Sequence, residues 1–415
     1  MSPNGSLAPH PKRIVVVDST ITRPLTGGAQ TFLIDLCQAL VQEDWAVTVV
    51  TQPGPEAAVV RMLVRSGVLV RSDLWGSIHL PEDGAVRLAK WVNAYRPDVF
   101  VVSISPDVAW LALPLLDASI ATISIVHNDV PAFYEPLKHY HSFVDRAIGV
   151  SNTAHRKIIT QYGVSAGRAT QIPYGVRSLP AQQAQESFAR VPNADTGLGI
   201  VYVGRLVTEQ KRILDFALLA SELLKREVRF QLHMIGEGSE RRVFEAELRK
   251  RQLQGHVRVW GWLAPDEVMR RLPELDAFVL MSEYEGLSVA LLEAMANAVV
   301  PVVTEIESGN VEVVKDGRNG FVVPVGDIQL FADRLEELGR KPELLRVMKK
   351  AAWETSQEYS LGRMISRYVA CFSEVAQRST ARRYRDVVNP FPVMPGCRSR
   401  YPKWLRRMKR RIAGP

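Results

Sequence analysis

The chain has 415 residues, 47% hydrophobic and 23% charged, a balance that suits a globular protein of two domains and excludes a disordered or fibrous one. Its three cysteines, Cys37, Cys371 and Cys397, are widely spaced with no CxxC or Cys/His cluster, which excludes a disulfide framework and a zinc site and points to a reducing cytosol. The net charge of +8 is unevenly held: residues 378–415 carry twelve Lys and Arg against one acid, Asp386, while the rest of the chain stands at −3.

Met1 to Arg13 is polar and contains proline, without the apolar core of a signal peptide. Arg13 to Asp18 then reads as a buried strand, followed by a loop with Gly27-Gly28, an apolar-periodic helix from about Ala29 to Glu43 and a strand from Ala46 to Thr51. Further strands are predicted near 67–71, 98–104, 120–126, 145–150 and 168–172. The apolar stretch Val99 to Val126 is broken by Pro106, Asp107, Pro114 and Asp117, so it reads as strand, helix and strand rather than a membrane span. His127 ends one of these strands. This first Rossmann-like domain covers 1–176, and residues 177–197, rich in Gln and Ala with Pro180 and Pro192, read as a connector.

A second strand–loop–helix series covers 198–358, with strands predicted from Leu198 and near 229–235, 256–260, 276–280 and 300–303. Two facing α/β domains leave a cleft at the carboxyl ends of their sheets, where ligands of doubly wound folds bind. Four loops of the second series lie at such ends. Gly204-Arg205 is followed by Lys211, which is read as opening a helix to about Leu224; this sets a guanidinium and an ammonium where a diphosphate would sit. Gly236-Glu237-Gly238 and Gly261 suggest close approach of backbone to a ligand.

The most specific stretch is Glu285 to Ala296. Glu285 lies in a strand-to-helix loop, and with a helix starting at Leu287, Glu293 sits about two turns in, on the order of 9 Å along the axis. The amides of Gly286, Leu287 and Ser288 at a helix amino end suit an anion between the two carboxylates. Glu293, among Ala290, Leu291, Leu292, Ala294, Met295 and Ala296, needs a partner from protein or ligand.

Taken together, Gly204-Arg205 with Lys211, Gly236-Glu237-Gly238 and the Glu285–Glu293 pair resemble the retaining GT-B glycosyltransferases of family 4, over roughly residues 13–375. The resemblance implies two facing Rossmann-like domains and a last helix, within 359–377, crossing back to the first. It implies that Arg205 and Lys211 hold the diphosphate, Glu285 contacts the donor sugar, Glu293 binds ribose hydroxyls and the strand end at Gly261 to Leu263 meets the base. Gly286, Leu287 and Ser288 would touch phosphate or sugar, the Gly27-Gly28 loop would fold over the phosphates, and His127, catalytic together with Glu285, would lie near the transferred bond. At Tyr174 and Arg177 the sequence departs from the family's usual Asn and Asp.

No DxD occurs, so the carboxylates that hold a metal in the other large glycosyltransferase fold are missing, and metal-independent transfer from a nucleotide-diphosphate sugar with no cofactor is expected. Donor base (UDP, GDP or other), donor sugar and acceptor stay open, the acceptor being a glycan or glycolipid. A sugar-nucleotide 2-epimerase of related fold and a noncatalytic nucleotide- or membrane-binding protein remain as alternatives, whereas a dinucleotide oxidoreductase is opposed by the lack of GxGxxG after either first strand.

In the tail, 378–415, the residues Tyr401, Trp404, Leu405, Met408 and Ile412 form one helical stripe with six basic residues over the rest of 401–412. An aromatic stripe is unnecessary for phosphate contact, so an anionic membrane surface is expected as partner rather than nucleic acid, with the protein peripheral at the inner membrane face.

Overall fold

A computed structural model describes residues 11–22, 27–74, 80–104, 107–192 and 197–379. The stripe at 401–412, and the membrane contact expected of it, lies outside the described residues.

Seven strands, β1 (Arg13–Val17), β2 (Ala46–Val50), β3 (Leu69–Arg71), β4 (Val99–Val102), β5 (Ala121–Val126), β6 (Arg146–Gly149) and β7 (Ala169–Gln171), form a parallel sheet in the order β3-β2-β1-β4-β5-β6-β7. A second parallel sheet has the order β10-β9-β8-β11-β12-β13, built from β8 (Leu198–Val203), β9 (Phe230–Ile235), β10 (Val257–Gly261), β11 (Ala277–Leu280), β12 (Val300–Thr304) and β13 (Phe321–Val323). The central strands are unbroken apolar or β-branched runs because helices cover both faces; every residue of β4, β5, β11 and β12 is buried. The strand order of each sheet reverses once, between β1 and β4 and between β8 and β11. Helices leave such neighbours on opposite sides and open a crevice at their carboxyl ends.

Three boundaries differ from the sequence reading. Residues 177–197 are not plain connector, since Ala181–Ala189 is a helix whose buried Ala184 and Ser187 pack on the second lobe. Lys211 closes a one-turn helix, Thr208–Lys211, instead of opening a long one; Arg212 takes left-handed backbone (φ 49, ψ 44), and the long helix runs from Asp215 to Lys225. The helix after Glu285 begins at Val289, because the Ser288 side chain caps it by accepting from the Leu291 N–H at 3.3 Å. Glu293 is therefore nearer the helix start than two turns. β13, three residues long, lies below the length at which alternation is legible.

Several contacts join the lobes. The last helix, Leu361–Ser379, crosses to the first lobe, where Tyr368 packs 5.3 Å from Phe32 and Phe372 6.4 Å from Trp45 (ring centroids), and Arg146 pairs with Glu374 at 2.9 Å. Glu312 of the second lobe accepts from the main-chain N–H of Asn152 and Thr153, at 2.8 and 2.7 Å, and so caps the first-lobe helix Asn152–Thr160. Beside it Glu307 pairs with Arg156 at 2.5 Å and Lys157 at 3.1 Å. Asp35 of the first lobe also pairs with Arg177, at the start of the connector, at 2.7 Å.

Within the second lobe Lys349, fully buried, places its Nζ 2.8 Å from Asp276 Oδ1, and Asp276 Oδ2 accepts from the Gly199 N–H at 2.9 Å. Burial outweighs Asp276 and lowers the Lys349 pKa. The pair ties the helix Pro342–Ser356 to the base of β8 and β11. Among the described residues no helix is long and apolar enough to cross a membrane.

Candidate functional site

The crevice beyond β8 and β11 receives two loops that interlock. Gly204 and Arg205 leave β8, and the Gly204 N–H donates to the Ile235 carbonyl at 3.0 Å, which sets it beside the end of β9. Gly236 follows β9 with φ 139, and a Cβ there would overlap the Gly204 carbonyl oxygen, so only glycine lets the two strand ends meet. The loop after β11 runs from Met281 to Ser288. Its Glu285 is 6% exposed and one oxygen, Oε1, is held twice, by the Ser282 hydroxyl at 2.7 Å and by the Lys211 ammonium. Arg212 makes an ion pair with Glu283 of the same loop.

Gln210 completes this arrangement and was not singled out from the sequence. It is buried, its Oε1 accepts from Arg205 Nη2 at 2.5 Å, and its Nε2 donates to the Tyr284 carbonyl at 3.1 Å. Sequence alone offered only its place beside Lys211. Asn310 was likewise missed: its Oδ1 accepts from the Ser288 N–H at 2.9 Å. This corrects the expectation of three free amides at Gly286 to Ser288, since that of Ser288 is already engaged by a buried amide side chain.

Glu293 faces the same cavity one helical step deeper. Burial pushes its pKa up to about 7, the Asp35 carboxylate adds to the rise and Arg177 opposes it. Arg177, where the sequence departs from the family pattern, is thus a cation that acts on that carboxylate.

From the first lobe, Gly27 is the residue before the helix Gly28–Gln42 and Gly28 its first, packed so closely on Val289 that a Cβ would overlap that side chain. Gly28 is therefore a lobe contact at a helix start rather than part of a free loop. His127 follows β5. Both of its ring nitrogens are taken, Nε2 by the Ser103 hydroxyl at 2.9 Å and Nδ1 by the Tyr174 hydroxyl at 2.6 Å, and Phe32 stands edge-on at 5.4 Å. Burial lowers its pKa to about 3, so the ring is neutral and its nitrogens are not free for acid–base work, against the expectation of a catalytic side chain. What His127 turns to the second lobe is its carbonyl oxygen, 2.5 Å from where a Cβ on Gly286 would lie.

These groups line one cavity of about 580 Å3 between the sheets. Of the residues named from sequence, Gly27, Gly28, His127, Arg205, Lys211, Gly236, Glu285, Gly286, Leu287, Ser288 and Glu293 all line it. Gly261 does not: its carbonyl is used by the Gly236 N–H at 2.8 Å, and the lining passes to the neighbouring Trp262 and Leu263. Trp262, 45% exposed, with Pro265, Val268 and Met269 gives this end an apolar wall. Among the described residues no group of three or more His, Cys, Asp or Glu gathers as a metal site. The cations Arg205 and Lys211 with Glu285 beside them at one point, the Glu293 carboxylate at another and an apolar end suit a ligand with a diphosphate, hydroxyls and a flat ring.

Comparison with known proteins agrees with this geometry. The family description Glycosyltransferase Family 4 matches residues 26–178, and Glycosyl transferases group 1 matches residues 183–355. WcaL of Escherichia coli strain K12, named as a colanic acid biosynthesis glycosyltransferase, is 32% identical over 316 residues, 70% of this chain and 76% of that protein. EpsD of Bacillus subtilis strain 168, named as a glycosyltransferase, is 29% identical over 171 residues; the match takes in 41% of this chain and only 43% of EpsD. Among solved structures, Anabaena HepE in complex with UDP and glucose superposes with a TM-score of 0.69 at 16% identity, covering 88% of this chain and 100% of that one, a likeness of fold. With one family description on each lobe and a relative matched along most of its length, the chain belongs to the family 4, group 1 glycosyltransferases.

Proposed function

We propose that the protein is a retaining, metal-independent glycosyltransferase that moves a sugar from a nucleotide-diphosphate sugar to a hydroxyl of a glycan or glycolipid, working in the cytoplasm in surface polysaccharide or lipopolysaccharide synthesis. The observation that carries the reading is the Arg205–Gln210–Lys211–Glu285 cluster at the β8/β11 reversal, facing Glu293 across one cavity. The relatives' printed names support the class of product, and the complex of HepE with UDP and glucose supports the class of donor.

In this reading the diphosphate lies at Arg205 and Lys211, whose charges stabilise the leaving group without a metal. The bond from the sugar's anomeric carbon to the β-phosphate oxygen breaks, and its electron pair goes to the phosphate. The acceptor oxygen bonds to the same carbon from the same face, and its proton passes to the departing phosphate. Glu285 sits by the donor sugar, while the neutral His127 contributes its carbonyl rather than a proton. A 2-epimerase is disfavoured by the family match and would need no acceptor.

The test is a panel of UDP-, GDP- and ADP-sugars scored for binding by thermal shift and for release of nucleoside diphosphate, with and without EDTA. Stabilisation by one class of donor and release unchanged by EDTA are expected. No shift with any donor, or activity lost with EDTA and restored by a divalent cation, would contradict the reading.

Glu293 gives the reaction a pH dependence. Its ionised form offers both oxygens as strong acceptors to a ribose diol, and with a pKa of about 7 the ionised fraction rises through neutrality. Donor KM is expected to fall roughly ten-fold from pH 6 to pH 8, and Glu293→Gln to flatten the profile. The sign for stability is opposite. A carboxyl whose pKa is raised on folding binds its proton more tightly in the folded state, so its contribution is present at low pH and is lost as pH rises from the ordinary glutamate range through about 7.

A further inference from the structure

We propose that Gln210 is the positioning residue that aims Arg205 and locks the Glu285 loop, an assignment that rests on the donor reading above. Among the described residues Arg205 is the guanidinium that lines the cavity, and it is an exposed, long side chain that would otherwise sample many rotamers. Its guanidinium is fixed by the Gln210 Oε1, 2.5 Å from Nη2. The other end of the same amide donates to the Tyr284 carbonyl at 3.1 Å, and the Gln210 carbonyl accepts from the Glu283 N–H at 2.9 Å. Lys211 then meets Glu285 and Arg212 meets Glu283, so residues 210–212 grip 283–285 one against another.

The partners dictate which way the amide points. Flipped, its NH2 would face a guanidinium that only donates, and its oxygen a carbonyl that only accepts. A glutamate at 210 would hold Arg205 but has no hydrogen for Tyr284, and its charge would cancel the cation the diphosphate needs. A methionine would do neither. The neutral primary amide is the group that orients Arg205, leaves its charge whole and ties it to the segment bearing Glu285.

A double-mutant cycle tests this with UDP and GDP as probes, their Kd values measured by calorimetry on the full chain for the unsubstituted protein, Gln210→Met, Arg205→Ala and the double variant. Gln210→Met is expected to weaken diphosphate binding roughly ten-fold, and to change it less than two-fold once Arg205 is absent. Gln210→Glu, which keeps the shape, is expected to weaken binding at least as much, and Gln210→Ala replaces Met in the cycle if that variant does not fold. A full ten-fold loss persisting in the Arg205→Ala background, or variants that fold and bind within two-fold of the unsubstituted chain, overturns the role of Gln210 while leaving the donor reading intact. Failure of the unsubstituted chain to bind either nucleotide removes the donor reading, and this assignment with it.

Discussion

Glu285→Ala should slow sugar transfer by roughly 10²–10³-fold while leaving the affinity for the nucleoside diphosphate unchanged or tighter. The asymmetry follows from the Lys211 pair. The Glu285 carboxylate holds the lysine, so deleting it frees a cation for phosphate while removing the anion proposed to lie beside the donor sugar. Lys211→Met should act in the other sense. It strands a carboxylate that is 6% exposed with only the Ser282 hydroxyl on its oxygen, and both affinity and turnover should fall. Calorimetric Kd values set beside single-turnover rates separate the two. Turnover of Glu285→Ala within ten-fold of the unsubstituted enzyme would remove Glu285 from the chemistry.

Lys349→Ala should destabilise the second lobe by about 3–5 kcal/mol, because it leaves the buried Asp276 charge without its closest cation. Arg190, 3.5 Å from the same carboxylate oxygen and partly exposed, replaces little of it. The lowered Lys349 pKa says that the attraction does not recover the full cost of burying the ammonium. Replacing both charges, as Lys349→Met with Asp276→Asn, should therefore recover more than half of the loss, since an asparagine oxygen can still accept from the Gly199 N–H. Denaturant melts of the three variants decide this. A loss below about 1 kcal/mol for Lys349→Ala would show that the site relaxes or hydrates on its own.

How much of this was legible beforehand depended on the range of each interaction. β1, β4, β5, β8, β9, β11 and β12 were each foreseen to within a few residues because their apolar runs are local and bounded by turn residues. The Arg205, Lys211, Glu285 and Glu293 positions were readable for a related reason: strand ends that flank a reversal in sheet order converge whatever else the chain does. The break at Arg212 was hidden because arginine ordinarily avoids left-handed backbone, and here it is held by Asp215 at 2.6 Å and by Glu283, which is 71 residues away. The Gln210–Tyr284 and Asn310–Ser288 bonds are equally non-local, and glutamine and asparagine give no periodic signal. For His127 the strand end was visible but its two hydroxyl partners were not, so the ring looked available when Ser103 and Tyr174 had already occupied it.

The Glu312 clasp has a consequence for how such enzymes diversify. Glu312 recognises the main-chain amides of Asn152 and Thr153, groups every non-proline residue possesses, so that contact asks of the first lobe a helix beginning at that place. Arg156 and Lys157 add side-chain pairs with Glu307 beside it, while the main-chain capping itself does not depend on which side chains stand at 152 and 153. An exchange of whole amino-terminal halves between relatives would keep this main-chain seam as long as the incoming half supplies a helix start there, so the two halves could be recombined as modules.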